Sequence, residues 1–229
     1  MIRTLLFDAY GTLLDTGTGS VDATRAILRN AGSALDPVAF YAEWKQLHHQ
    51  HFAAQTAFVT ERETYVLDLA ELYRRHGIDR DARADMGPMW SVQGARTAYP
   101  EARPILAALR RDYAVAVASI SDTAPLKQDL QRAGLGDVPF FTSEGLRSYK
   151  PQPAFYEAVL GALHCSPEQA VYIGDSPVED IQGPQRAGMR AVWVNRKGRA
   201  LPLDIHPDVE MPSLTPLPHW LARQKAATV

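Results

Sequence analysis

From Tyr99 onward, the sequence alternates short apolar runs with longer segments of helical periodicity. The apolar runs that we predict as strands occupy residues 114–118, 138–141, 170–173 and 191–194. Continuous apolar strands separated by helices are typical of a parallel sheet that is buried on both faces. A further apolar run, Leu5 to Phe7, can join the same sheet. The sequence therefore predicts an α/β fold with a parallel sheet covered by helices.

The segment between the first strand and this alternating region carries helix signals instead of strand signals. Asp36 precedes a proline, which is typical of an N-cap followed by the first helical position. A capping box begins at Thr60, and Gly77 is a typical helix end. We expect about four helices here, forming an inserted helical domain. The predicted division is a core domain of residues 1–15 and 97–229 and an inserted domain of residues 16–96.

Composition and charge exclude several classes of function. The 24 lysines and arginines nearly balance the 26 aspartates and glutamates, so nothing indicates a nucleic-acid partner. No apolar stretch reaches the ~20 residues that span a bilayer, and the N-terminal apolar run is too short for a secretory signal. The single Cys165 excludes an intramolecular disulfide. We therefore expect a cytoplasmic protein, a monomer or homodimer, without a membrane or nucleic-acid partner.

Polar side chains follow the predicted strands where each strand ends. Asp8 follows the first strand, Ser119 the second and Asp175 a later one, while Lys150 lies near the third. Ligands of open parallel sheets bind at the carboxyl ends of the strands, so these residues should converge. Asp8 and Asp175 would repel each other without a cation, and Mg²⁺ prefers such oxygens. The pattern indicates nucleophilic displacement on a small anionic substrate, with Lys150 and Ser119 binding the anionic group.

Four segments resemble the motifs of the haloacid dehalogenase (HAD) superfamily of aspartate-nucleophile hydrolases. They read FDAYGTLLD, VAVAS, YKPQPAFYEAVL and YIGDSPVEDIQG, in the family's order and over nearly the whole chain. The resemblance implies a Rossmann-like core with an inserted helical cap that closes over the substrate. It implies Asp8 as nucleophile, Ser119 and Lys150 as stabilisers of the anion, and Asp175 as a metal ligand. Asp180 would orient Lys150 or stabilise the metal site without binding the metal directly.

The resemblance also implies the remaining members of the site. Mg²⁺ would be bound by Asp8, Asp175 and the backbone carbonyl of Tyr10. The substrate would contact Ser119 and four further residues, which are Tyr10, Thr12, Ile120 and, from the cap, Lys45.

Two motifs favour different reactions. Phosphatases of the family usually carry a second aspartate two residues after the nucleophile, as general acid and base, but this chain has Tyr10. A halide leaves without a proton, and Lys45 stands where 2-haloacid dehalogenases have an arginine, so these positions resemble the dehalogenase branch. Dehalogenases replace the acidic pair of motif four, however, and this chain keeps Asp175 and Asp180. We expect a Mg²⁺-dependent phosphatase of a small phosphorylated metabolite. The alternatives are a 2-haloacid dehalogenase and a HAD-fold binding or regulatory protein with weak or no catalysis.

Histidines in the predicted cap form a separate feature. His48 and His51 are three residues apart and can share a helix face. A metal site is one interpretation, but no acid or cysteine nearby in the sequence completes a ligand set. A polar helix face is the favoured interpretation.

Overall fold

The computed structural model describes residues 1–54 and 57–226. Its strands are β1 (Thr4–Phe7), β2 (Leu14–Asp15), β3 (Thr97–Ala98), β4 (Ala114–Ser119), β5 (Phe140–Thr142), β6 (Ala170–Gly174), β7 (Arg190–Val194) and β8 (Val209–Met211). Its α-helices are α1 (Gly19–Asn30), α2 (Pro37–Ala54), α3 (Glu61–Arg75), α4 (Ala82–Asp85), α5 (Gly87–Val92), α6 (Ala102–Leu109), α7 (Thr123–Arg132), α8 (Ser143–Leu146), α9 (Pro153–Ala162), α10 (Gly183–Arg186) and α11 (Leu217–Ala226).

Six strands form one parallel sheet, which confirms the predicted α/β class. The order is β5-β4-β1-β6-β7-β8, and every neighbouring pair is parallel. β1 lies in the centre, between β4 and β6. The carboxyl ends of these three strands therefore meet at the middle of one sheet edge, where an open parallel sheet places its ligand site.

Alternating side chains of the strands fill two hydrophobic cores, one on each face of the sheet. Leu5 and Phe7 pack with residues of α6, α7 and α11, whereas Leu6 packs with residues of α9. Side chains alternate in this way along any strand. Because helices cover both faces, the central strands are apolar at nearly every position, as the sequence pattern indicated.

The inserted segment folds around a hydrophobic core of its own, which includes Trp44, Leu69 and Met86. Its described residues, 16–54 and 57–96, contain five helices, α1 to α5, instead of about four, because the last part is broken into the two short helices α4 and α5. The predicted caps are confirmed. Asp36 Oδ1 accepts a hydrogen bond from the Ala39 N–H at 2.7 Å, and Thr60 Oγ1 accepts one from the Glu63 N–H at 3.3 Å.

The inserted segment joins the rest of the chain through two short crossings. β2 and β3 pair antiparallel there and form a two-stranded ribbon. β2 ends at Asp15 and β3 begins at Thr97, which are the two predicted domain boundaries. The division into core and cap at these residues stays a prediction, and we use "cap" for the segment that carries α1 to α5.

Two elements differ from the sequence-based expectation. Residues 138–141 were predicted as a strand, but β5 begins at Phe140. Pro139 has no N–H to donate and contributes only its carbonyl oxygen, which accepts from the Val117 N–H at 2.8 Å. The sequence also gave no prediction of α11, whose second residue is Pro218, a position where proline is tolerated. Within residues 1–54 and 57–226, no helix is both long and apolar enough to cross a membrane.

Candidate active site

The carboxyl ends of β1 and β4 place the predicted nucleophile beside the predicted serine. The Asp8 N–H continues the sheet by donating to the Ile173 carbonyl at 2.8 Å, which fixes Asp8 at the strand end. Ser119 Oγ donates a hydrogen bond to Asp8 Oδ1 at 3.2 Å. Both side chains are buried. The sheet edge thus brings together two residues that are distant in sequence, as predicted.

Lys150 is a buried cation at the centre of this group. Its Nζ donates to Asp8 Oδ1 at 2.8 Å, to Asp180 Oδ1 at 2.7 Å and to the Tyr172 hydroxyl oxygen at 2.9 Å. Burial alone would lower the pKa of Lys150, but Asp180 and Asp8 raise it well above its usual value. Lys150 therefore stays charged, and it balances the negative charge at the sheet edge.

Burial has the opposite effect on Asp8, whose pKa it raises to about 7 in spite of Lys150. Asp180 and Asp175 raise the pKa of Asp8 further, because each adds a negative charge nearby. Burial and Asp180 also raise the pKa of Asp175. Lys150 and Arg199 thus supply two positive charges beside three carboxyl groups, and a divalent cation would favour the ionised forms of all three.

Asp8, Asp175 and Asp180 each offer a carboxylate oxygen within 4.8 Å of the others. Both oxygens of Asp180 are engaged, Oδ1 by Lys150 and Oδ2 by the Ser176 N–H at 2.9 Å. Asp175 Oδ2 accepts from Arg199 Nη2 at 2.9 Å. Asp8 Oδ2 and Asp175 Oδ1 have no recorded hydrogen bond within the described part of the chain. These donors fit a hard cation held by Asp8 and Asp175, with Asp180 supporting Lys150.

Two glycines allow the backbone to approach these carboxylates. Gly11 has a φ of +91°, and a Cβ there would lie 2.8 Å from the carboxyl carbon of Asp175. A Cβ on Gly174 would lie 2.3 Å from the carboxyl carbon of Asp180. Any larger residue at either position would displace a candidate site carboxylate, which explains why motifs one and four carry glycine here.

Tyr10 is held in a network that links the sheet edge to the cap. Its hydroxyl donates to Asp129 Oδ2 at 2.9 Å, and the other oxygen of Asp129 accepts from the Arg96 N–H at 2.6 Å. Arg96 Nη2 then donates to Ser20 Oγ, at the start of α1, at 2.9 Å. Burial, Asp129 and Glu61 raise the pKa of Tyr10 well above its usual value. Tyr10 therefore cannot act as a base near neutral pH, and its contact with substrate stays a prediction.

The structure places the other predicted substrate residues around the same edge. Thr12 is buried, and its hydroxyl has no hydrogen-bond partner among the described residues. Ile120 directly follows Ser119 and is half-buried. Lys45 is exposed on α2, yet it acts with Arg199 to oppose the raised pKa of Asp175. Substrate binding by Thr12, Ile120 and Lys45 remains a prediction.

Three residues of the site were missed by sequence reasoning. The Tyr172 hydroxyl receives a hydrogen bond from Lys150 and donates one to the Ala118 carbonyl oxygen. A tyrosine inside an otherwise aliphatic strand was a signal that could have been followed. Arg199 contacts Asp175 from a loop beyond β7, and no local pattern indicated it. Asp122 lies after Ser119 in the motif-two loop, but its partner is in the cap.

The cap is attached to two loops of the core, at Asp122 and Tyr149. Asp122 accepts hydrogen bonds from the Glu61 N–H at 2.9 Å and the Arg62 N–H at 3.0 Å, at the beginning of α3. The Tyr149 hydroxyl, next to Lys150, donates to the Val59 carbonyl at 2.8 Å. These contacts fix the N-terminus of α3 to the loop that follows Ser119 and to the residue next to Lys150.

Exchange of Asp122 for alanine tests this attachment. The change leaves the two amides of α3 without their acceptor, and loss of such a cap costs about 0.5–2 kcal/mol. We expect a lower free energy of unfolding by about that amount in urea titrations. Asp137, which is exposed, offers a control for loss of a charge. Equal effects of the two changes would contradict a specific role for Asp122.

Comparisons with known proteins agree with this geometry. A family model described as haloacid dehalogenase-like hydrolase matches residues 2–188. The chain belongs to the haloacid dehalogenase-like hydrolases. It is therefore a hydrolase, and curated relatives of this HAD hydrolase include both phosphatases and 2-haloacid dehalogenases.

The relatives do not agree on one reaction. Phosphoserine phosphatase of Thermus thermophilus is 34% identical over 120 residues, which span 51% of this chain and 48% of that protein. (S)-2-haloacid dehalogenase 4A of Burkholderia cepacia is 27% identical over 86% of this chain and 84% of its own length. Among solved structures, YfnB from Bacillus subtilis, a HAD hydrolase in a magnesium-bound form, aligns with a TM-score of 0.82. That structure is 23% identical and covers 96% of this chain and 99% of its own, so it supports the fold.

Proposed function

We propose that this HAD hydrolase is a Mg²⁺-dependent phosphatase of a small phosphorylated metabolite. The observation that carries the proposal is the cluster of Asp8, Asp175 and Asp180, of which Asp8 and Asp180 contact Lys150. A 2-haloacid carries one carboxylate and needs no metal, so three acids beside its binding site would oppose its binding. A phosphate bound with a divalent cation would account for them, because Asp8 and Asp175 would hold the cation and its charge would offset that of the phosphate.

In the proposed reaction, Asp8 attacks phosphorus and forms an aspartyl-phosphate, which water then hydrolyses. Lys150 Nζ donates to Asp8 Oδ1 at 2.8 Å, which fixes the orientation of the nucleophilic carboxylate. Ser119 and Lys150 would bind the phosphate oxygens as negative charge develops on them. A bound Mg²⁺ would supply charge neutralisation as a Lewis acid, held by Asp8, Asp175 and the Tyr10 carbonyl.

Dehalogenation is the second candidate, and Tyr10 is the observation that favours it. A phosphatase of this family usually has an aspartate at that position, whereas here the tyrosine hydroxyl is engaged by Asp129. In that case Asp8 would attack the halogen-bearing carbon and form an ester. A paired assay separates the candidates: a panel of phosphate esters against chloroacetate and fluoroacetate, each with and without Mg²⁺. Mg²⁺-dependent phosphate release supports the proposal, and metal-independent halide release overturns it.

Metal binding can be tested without an assay of activity. We expect calorimetry to detect one Mg²⁺ per chain, and we expect Asp175→Asn to weaken binding strongly because one of two anionic ligands is lost. Asp137→Asn is the matched control, since Asp137 is exposed and pairs with Arg110. Mg²⁺ binding that is unchanged in Asp175→Asn, or absent in the unmodified protein, would contradict the proposed metal site.

A further inference from the structure

The proposed phosphatase reaction needs a proton donor that motif one does not provide. An alkoxide leaving group must receive a proton as it departs, and the attacking water must later lose one. Tyr10 occupies the usual position of the acid, but its hydroxyl donates a hydrogen bond to Asp129. A replacement would have to be an ionisable side chain that faces the sheet edge from another element.

Glu61, the first residue of α3, meets this requirement. Its backbone N–H donates to Asp122, three residues beyond Ser119, so the cap helix begins beside the loop that follows Ser119. The Glu61 side chain is only 15% exposed. Its charge also raises the pKa of both Tyr10 and Tyr149, after the larger effect of burial, which places it near the two residues that flank the site.

His48 is a buried partner that faces Glu61. Its Nδ1 lies 2.5 Å from Asp68 Oδ2, and its Nε2 lies 3.8 Å from Glu61 Oε1. Nε2 is buried and has no hydrogen-bond partner in the described part of the chain. Asp68 thus orients the imidazole so that its free nitrogen points at Glu61, a second carboxylate. In free enzymes such catalytic contacts are often longer than a hydrogen bond and shorten when substrate binds.

This arrangement changes the interpretation of the histidines. Asp68, from α3, contacts both His48 and His51, each at 2.5 Å, so an acid does lie beside them. Asp68 belongs to α3, a separate segment, so this acid is distant from the two histidines in the sequence. Even so, the set of candidate metal ligands found in residues 1–54 and 57–226 is the acidic one at the sheet edge. The Asp68–His48 pair is suited to holding a proton.

We propose that Glu61 is the general acid and base of this enzyme, positioned by His48, in place of the aspartate that position 10 lacks. The inference rests on the proposed phosphatase function. In the first step the Asp8 carboxylate forms a bond to phosphorus, the ester P–O bond breaks, and the Glu61 carboxyl gives its proton to the leaving oxygen. In the second step water attacks the aspartyl-phosphate, and Glu61 takes back a proton as Asp8 and inorganic phosphate are released.

The test is Glu61→Gln, compared with Glu63→Gln, on an alkyl phosphate and on p-nitrophenyl phosphate. Glu63 lies on the same helix turn but pairs with Arg83, and its side chain is 39% exposed. We expect Glu61→Gln to lose about 10²–10⁴-fold in turnover of the alkyl phosphate. Nitrophenolate leaves without a proton, so the variant should still release one nitrophenol per chain in a rapid burst. Slow hydrolysis of the aspartyl-phosphate should follow, because the base is missing.

The outcomes separate a catalytic role from a structural one. Loss of the nitrophenol burst together with alkyl-phosphate turnover, or retention of both at normal rates, would overturn the assignment of Glu61. Glu61→Asp keeps the carboxyl group and should recover part of the alkyl-phosphate rate, and no recovery would count against the proposal. His48→Gln should also lower alkyl-phosphate turnover while the nitrophenol burst is retained, but by a smaller factor than Glu61→Gln. A protein without phosphatase activity before any substitution would instead refute the proposed function.

Discussion

Turnover is expected to fall by about 10⁴-fold or more when Asp8 is replaced by asparagine, since loss of a nucleophile leaves only binding and electrostatic effects. A neutral amide is a far weaker nucleophile and cannot form the aspartyl intermediate. The prediction holds for phosphate esters and for haloacids, because both reactions begin with attack by Asp8. Rates on the phosphate panel and on haloacetates, measured at saturating substrate, provide the check.

The Asp8→Asn protein should remain folded, which makes the result easy to interpret. The amide has the shape of the carboxyl group, and the pKa of Asp8 is already raised to about 7 by burial, so loss of its charge costs little stability. Asp112→Asn is a suitable control because the Asp112 side chain is 65% exposed. A variant at Asp8 with near-normal rates on a true substrate would remove Asp8 from the mechanism.

Much of this site was predictable because its residues are tied to the ends of strands. Apolar runs located β1, β4 and β6, and their common direction required Asp8 and Ser119 to meet at one edge. Lys150 could be placed near the end of the third predicted strand, whereas the role of Asp180 came only from the resemblance to the HAD motifs, because its contact with Lys150 joins two loops. The acidic cluster confirms that the predicted residues converge, whereas their individual roles remain predictions.

Contacts between the cap and the rest of the chain were not predictable in the same way. The N–H groups of Glu61 and Arg62 donate to Asp122, and the Arg96 N–H donates to Asp129, so these hydrogen bonds join segments with no shared periodicity. The length of the inserted segment and its packing decide which side chains reach the sheet edge. This explains why nothing in the sequence indicated a pairing of Glu61 with His48, although the structure places them together.

The conflict between motif one and motif four has a structural explanation if Glu61 supplies the proton. Tyr10 then has a structural role in place of the usual acid. Its hydroxyl and the Arg96 N–H both donate to Asp129, which connects the nucleophile loop to the boundary of the cap. Closure of the cap would then also bring the Glu61 carboxyl to the leaving group. Alkyl phosphates would be hydrolysed only when the N-terminus of α3 lies over Asp8, which also keeps bulk water away from the intermediate.

Replacement of Lys150 by methionine is expected to cause the largest loss of stability. The side chain is almost fully buried and neutralises Asp8 and Asp180 at 2.8 and 2.7 Å. Methionine has a similar length but leaves two buried carboxyl groups without their cation. Breaking a buried ion pair from one side costs about 3–5 kcal/mol, so the free energy of unfolding should fall by roughly that amount in metal-free buffer. Lys127→Met, at an exposed position of α7, is the matched control.

The size of this loss should depend on pH in a direction that identifies its cause. The pKa of Asp8 is raised in the folded protein, to about 7 with Lys150 present, and removal of that cation would raise it further. A carboxyl group whose pKa is higher in the folded state than in the unfolded state reduces stability as pH rises from about 4 toward the folded pKa. Lys150→Met should therefore be least harmful near pH 5 and most harmful near pH 8. Urea titrations at both pH values measure the difference, and a deficit that is constant or larger at pH 5 would show that lost packing, instead of uncompensated charge, causes it.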